Sequence, residues 1–225
     1  MNQETIIKNI QYTTEKNIFK NNWNSMGIQK NDKIITAVGK PSYFCVGLVD
    51  IVNSTKTVAR LQQNKVAQYY EIFLNTMAKT INSNQGKIIK IMGDSLLFYF
   101  PDTCHSKNKS GFLNAIECGF SIMNVHGKLT HILKKYTLPQ IDFRISFDYG
   151  NVIIMKTKNG LMDLVGPTIN TCAKMNELAM TNSMIIGGDL FERIKYFNEY
   201  KFKNSKSLSI GLKQSYPSFT LCRQT

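Results

Sequence analysis

Two aspartates stand where a chain can do phosphate chemistry. Asp50 closes the apolar run Tyr43–Val49, and the small polar residues Asn53, Ser54 and Thr55 follow it. A helix opening there offers unpaired backbone N–H groups and the positive end of its dipole, which suit phosphate oxygens. A carboxylate beside such a start fits a metal bridging protein to phosphate, although taken alone it is more often simply a residue that begins a turn. Asp94 follows Gly93 between the apolar segments Lys87–Met92 and Ser95–Phe100. That pattern reads as a hairpin with the acid at its tip. If the hairpin neighbours the first strand, both carboxylates reach one edge of the sheet, where they repel unless a cation lies between them.

Other ligand chemistries find no support. The five cysteines (Cys45, Cys104, Cys118, Cys172, Cys222) have no C-x-x-C spacing, and the three histidines form no ligand pattern. Neither a disulfide framework nor a zinc site is expected. A bound metal would then be held by carboxylates, which favours Mg²⁺ or Mn²⁺.

The elements that must position these acids follow from the apolar pattern. Tyr43–Val49 reads as a strand buried on both faces. A helical stripe follows through Val66, Tyr70, Phe73, Leu74, Met77 and Ile81, with Gly86 placed as its C-cap. After the Gly93-Asp94 hairpin comes a second amphipathic helix through Phe112, Ile116, Phe120, Met123 and Ile132. A hairpin is expected for Ile141–Phe147 and Val152–Met155 around Gly150-Asn151. A helix near Thr168–Met180, a strand at Met184–Ile186 and short C-terminal strands complete the chain. Strand, helix, hairpin, helix, strand is the order of an α+β, ferredoxin-like βαββαβ sandwich with extra C-terminal strands. Residues 1–36 read as an N-terminal extension of loosely helical spacing, and 37–225 as one domain.

Composition adds bounds. At 43% hydrophobic over 225 residues, the chain has material for one real core. The longest apolar run near Pro101 is Leu96–Phe100, far short of the roughly 20 residues that span a bilayer. The first residues lack an apolar signal core, so no transmembrane segment and a cytoplasmic location are expected. The net charge of +13 raises nucleic acid as a partner, but the lysines are spread along the chain and no groove-reading module is present. Nucleic acid is not expected; a polyphosphate substrate suits the same charge.

Four blocks in order carry a family resemblance. Cys45-Val-Gly-Leu-Val-Asp-Ile-Val-Asn-Ser-Thr resembles the first metal-binding strand of class III adenylate and guanylate cyclases. Lys87-Ile-Ile-Lys-Ile-Met-Gly-Asp-Ser-Leu-Leu-Phe-Tyr-Phe resembles their second metal hairpin. Phe143-Arg-Ile-Ser-Phe-Asp-Tyr-Gly-Asn-Val matches the next block. Asp163-Leu-Val-Gly-Pro-Thr-Ile-Asn-Thr-Cys-Ala-Lys-Met matches the loop and helix with their catalytic Asn. The resemblance spans roughly residues 42–222.

What it implies is specific. Asp50 and Asp94, with the Ile51 carbonyl, would hold two Mg²⁺ or Mn²⁺ ions that ready a ribose 3′-hydroxyl for attack on the α-phosphorus. Asn170 would orient the ribose. Lys174, four residues on, stands where the family has an arginine, keeping the charge without the planar fork. Lys90 and Asp163 fall at the base-reading positions of adenylate cyclases, where lysine donates to adenine N1 and aspartate accepts from the 6-amino group. Asn53, Ser54, Thr55 and, more loosely, Lys213 would meet phosphates. The sites would lie at the seam of a homodimer. Two further departures are visible: Asn53-Ser54 replaces a usual Gly-Phe, and Pro167 a usual Asp. The expectation is an ATP-using lyase; a pyrimidine or guanine nucleotide cyclase, and a weak nucleotide-binding module, are the alternatives.

Overall fold

The computed structural model describes residues 34–205, 207–210 and 214–224. Most of the N-terminal extension, residues 1–33, lies outside them, as does Lys213.

The first strand, β1 (Ile35–Ile51), leads through a five-residue helix α1 (Ser54–Val58) into the long helix α2 (Gln63–Ser83). The hairpin β2 (Lys87–Met92) and β3 (Ser95–Phe100) follows, stopped by a 3₁₀ turn at Pro101–Cys104. Helices α3 (Lys109–Asn124) and α4 (His126–Lys135) lead to β4 (Phe143–Thr157) and β5 (Met162–Val165). Then come α5 (Pro167–Leu178), β6 (Ser183–Gly187), α6 (Gly188–Ile194), β7 (Tyr200–Asn204), β8 (Leu208–Ile210), β9 (Gln214–Tyr216) and β10 (Ser218–Arg223). The main sheet runs β2-β3-β1-β4-β6-β10-β7, with β5 paired to β4. Its β2-β3-β1-β4 half is the βαββαβ arrangement the sequence implies, and β4–β6 is a parallel pair.

Both faces of the sheet are covered, which explains why β1 and β3 read as continuous apolar runs. On one face Tyr69, Phe73, Met77 and Ile81 of α2 pack with Phe112 and Ile116 of α3, Leu129 and Leu133 of α4, and Leu190 and Ile194 of α6. On the other, α5 covers Val46, Leu48 and Val152 through Cys172. No described helix is long and apolar enough to cross a membrane.

Three local expectations are corrected. No hairpin forms at Gly150-Asn151: β4 is one strand, and Gly150 and Asn151 pair with Phe44 and Tyr43 of β1. Gly150 is there because a Cβ would come within 2.4 Å of Thr168 Oγ1, so the glycine lets α5 approach the sheet. The reversal falls later, with Gly160 N–H donating to Thr157 O at 3.0 Å. The second amphipathic helix is two, breaking at Val125. The left-handed residue after α2 is Gln85 (φ 64), not Gly86.

Candidate active site

Alternation along β1 decides which way Asp50 faces. Cys45, Val49 and Ile51 belong to the core under α2 and α3, whereas Phe44, Val46 and Leu48 pack on the α5 side. Asp50 continues the second series, at the strand's end. Its cross-strand neighbours are Ser95 on β3 and Arg144 on β4. Asp94 directly precedes Ser95 in the β2–β3 turn, where Gly93 takes φ 64. The sheet therefore brings both acids to one edge.

The electrostatics agree. The Asp50 carboxyl is pushed up to about 6, first by burial and then by the negative charge of Asp94, with Arg144 pulling it down. A half-buried carboxylate pushed up by an acidic neighbour makes a site that a cation relieves. With the backbone at Ile51, the donors are hard oxygens, which fit Mg²⁺ or Mn²⁺. Among the described residues no group of three or more His, Cys, Asp and Glu side chains could hold a metal. The protein thus fits as a partial shell, with the remaining positions open to substrate oxygens.

Arg144 is the site residue that the motif reading left without a role. Its Nη2 lies 3.9 Å from Asp50 Oδ2, too far for a hydrogen bond. Its Nη1 donates to the Glu177 carbonyl at 3.0 Å, and its Nε is buried without a hydrogen-bond partner. A fixed cation with an unused donor stands beside the acids. Its position inside the third motif block was visible; the register that sets it opposite Asp50 was not.

Asn53 adopts the left-handed region, φ 57, which asparagine tolerates better than most residues with a Cβ. That conformation explains how it replaces a usual glycine. Ser54 is buried, while Asn53 and Thr55 are exposed. The helix they open has only five residues, so its dipole is small. Phosphate contact there would rest on turn N–H groups instead. Pro167 occupies the first turn of α5, where a missing N–H costs nothing.

Lys90 and Asp163 meet directly. Lys90 Nζ donates to Asp163 Oδ2 at 2.6 Å, each side chain a little over one-third exposed. Asp163 Oδ1 accepts the Leu164 N–H at 2.7 Å, which fixes the carboxylate's orientation.

Asn170 and Lys174 share an exposed face of α5, one turn apart. The opposite face is anchored: Asn176 Nδ2 donates to the Leu48 and Arg144 carbonyls, both at 3.2 Å, and Cys172 is buried against Val46 and Ser146. Successive α-helical positions are about 100° apart, so residues 170 and 174 point away from the strand that carries Asp50. Within one chain these two groups are not brought to the metal edge.

A model of the adenylate and guanylate cyclase catalytic domain matches residues 39–221, and the chain belongs to that family. It is 25% identical over 181 residues to a cytidylate cyclase of Staphylococcus aureus, covering 75% of this chain and 42% of that one. It is 22% identical over 141 residues to an adenylate cyclase of Streptomyces coelicolor, covering 63% and 31%. The chain thus spans less than half the length of these curated relatives. Its fold aligns with the guanylyl cyclase Cya2 at a TM-score of 0.74 and 19% identity, over 81% of this chain and 93% of that one.

Proposed function

We propose that this chain converts ATP to 3′,5′-cyclic AMP and pyrophosphate at a site shared by two copies of itself. The observation that carries the reading is the coupling of Asp50 and Asp94 at one sheet edge, with Arg144 beside them. Asp50, Asp94 and the Ile51 carbonyl would hold Mg²⁺ or Mn²⁺. Bound there, the ions supply acidification of the ribose 3′-hydroxyl and neutralisation of the triphosphate.

The chain's own residues do the rest. Arg144 lends its positive charge to the phosphates, and the turn at Asn53, Ser54 and Thr55 lies against them. As the 3′-oxygen bonds to the α-phosphorus, the bond to pyrophosphate breaks, and positioning and charge dominate such a step. Asn170 holds the ribose and Lys174 meets the charge growing on the α-phosphate. Because both face away from their own Asp50, they act on the partner's metal edge in a two-fold homodimer. Lys213 would contact phosphate from the segment before β9. Lys90 and Asp163 read the base, lysine donating to N1 and aspartate accepting from the 6-amino group.

Incubation with ATP and Mn²⁺ should yield cyclic AMP, identified by mass and chromatographic mobility, and Asp50→Asn should abolish it. No cyclic product from any nucleoside triphosphate would end the reading. A second reading keeps the mechanism and exchanges the base for cytosine; the cytidylate cyclase relative favours it. CTP in the same assay decides between them.

A further inference from the structure

We infer that the C-terminal turn of α5 is a clamp that holds the Arg144 guanidinium off the Asp50 carboxylate, and that Asn176 is the positioning residue that sets it. The inference rests on the proposed reading of Asp50 as a metal ligand.

Asn176 is 3% exposed and ties the helix to both strands that meet at the metal edge. Its Nδ2 donates to the carbonyl of Leu48, two residues before Asp50, and to the carbonyl of Arg144, both at 3.2 Å. The amide has two N–H groups, so these acceptors use both, and Ser146 Oγ at 3.4 Å is a weaker third neighbour. Glu177, the next residue, presents its backbone carbonyl to Arg144 Nη1 at 3.0 Å. Adjacent residues of one helical turn thus grip Arg144 twice, by its own carbonyl and by its guanidinium.

The Glu177 carbonyl can do this because the helix ends there, and the last four carbonyls of a helix have no partner within it. The Ala179 N–H serves the Met175 and Asn176 carbonyls, and that of Glu177 takes the guanidinium instead. No basic residue lies in the last turn of α5. Arg144 supplies, from the neighbouring strand, the positive charge that the negative end of the helix dipole favours.

A guanidinium beside a carboxylate closes into short, charge-assisted bonds when nothing restrains it. Here Nη2 stays 3.9 Å from Asp50 Oδ2. The anchor on Glu177 therefore keeps Asp50 open to a cation while the charge stays within reach of a triphosphate. Asn176 fixes where that anchor stands relative to β1 and β4. Without it the anchor shifts, and Arg144 closes onto Asp50.

The test is Mn²⁺ binding, followed by the electron paramagnetic resonance signal of the free ion, which needs no turnover. Asn176→Ala should raise the half-saturating Mn²⁺ concentration about tenfold, because a charge-assisted bond must break before Asp50 can take the ion. In the Arg144→Ala background the same substitution should change Mn²⁺ binding little, since the competitor is gone. A merely structural side chain would lower the melting temperature and weaken binding by the same factor in both backgrounds. That result, or unchanged Mn²⁺ binding in Asn176→Ala, overturns the inference. If Asn176→Ala does not fold, Asn176→Thr, close to asparagine in volume, enters the same comparison. Wild-type protein that binds Mn²⁺ but forms no cyclic nucleotide ends the cyclase reading and leaves the clamp to be judged on the binding curves. Wild-type protein that binds no Mn²⁺ ends both.

Discussion

Arg144 and Asp50 face one another across neighbouring strands, guanidinium to carboxylate at 3.9 Å, without a hydrogen bond between them. This spacing leaves the cation free to serve a ligand as well as the acid. We expect Arg144→Ala to raise KM for the triphosphate and lower kcat/KM by about tenfold or more, with Arg144→Lys recovering part of the loss. Steady-state kinetics at saturating Mn²⁺ read this directly. An unchanged KM would remove Arg144 from the phosphate site.

Cation binding should show in stability before any chemistry is measured. A ligand at about 100 times its Kd adds about 2.7 kcal/mol. For a domain of this size that is a rise of roughly 5–10 °C in Tm. Mn²⁺ should raise the wild-type Tm on this scale and leave Asp50→Asn and Asp94→Asn nearly unmoved. Equal shifts in all three proteins would place the ion elsewhere.

The outward face of α5 makes a complementation experiment decisive. Asp50→Asn and Asn170→Ala should each be inactive alone. Mixed in equal amounts, random pairing gives about half heterodimers, each with one intact site, and so about one quarter of wild-type activity. No recovery after exchange of subunits would refute a shared site.

Asp148 gives the pH prediction. It is 2% exposed on β4, accepts the Tyr149 N–H and the Tyr216 hydroxyl at 2.9 Å each, and has the Asp189 carboxylate nearby. Burial pushes its pKa up to about 7, against hydrogen bonds that lower it. The folded state therefore binds more protons than the unfolded state between about pH 4 and 7, and this group's contribution to stability falls as pH rises through that window. The full difference is roughly 4 kcal/mol. Asp148→Asn leaves an amide to satisfy but removes the titration. Its stability relative to wild type, from urea unfolding, should climb between pH 5 and pH 8; a flat difference would refute the assignment.

Much of this was legible from residue order, and the failures have physical causes. The turn at Gly93-Asp94 was readable because apolar strands flank it and glycine permits φ 64 there. Gly150-Asn151 carries a similar signal with a different cause: the glycine admits Thr168, a contact 18 residues away that no local pattern contains. Lys90 and Asp163 came from motif position, yet their bond joins residues 73 apart and depends on how β5 folds back on β4. Arg144 and Asp148 were passed over because a lone charge in a strand reveals its neighbours only once register is known. Asn170 and Lys174 were placed on one face by helical spacing alone, since that geometry is local.

The unbroken course of β4 has a mechanical corollary. Arg144 stands near one end of this strand and Met155, the neighbour of Asp163, near the other, eleven residues or about 36 Å apart. In the proposed two-fold pair, the first end would belong to one reaction centre and the second end to the other. In the proposed pair one strand would then be common to both, and triphosphate saturation curves that depart from a simple hyperbola are the expected sign that the two centres are felt by each other; a strict hyperbola would count against it.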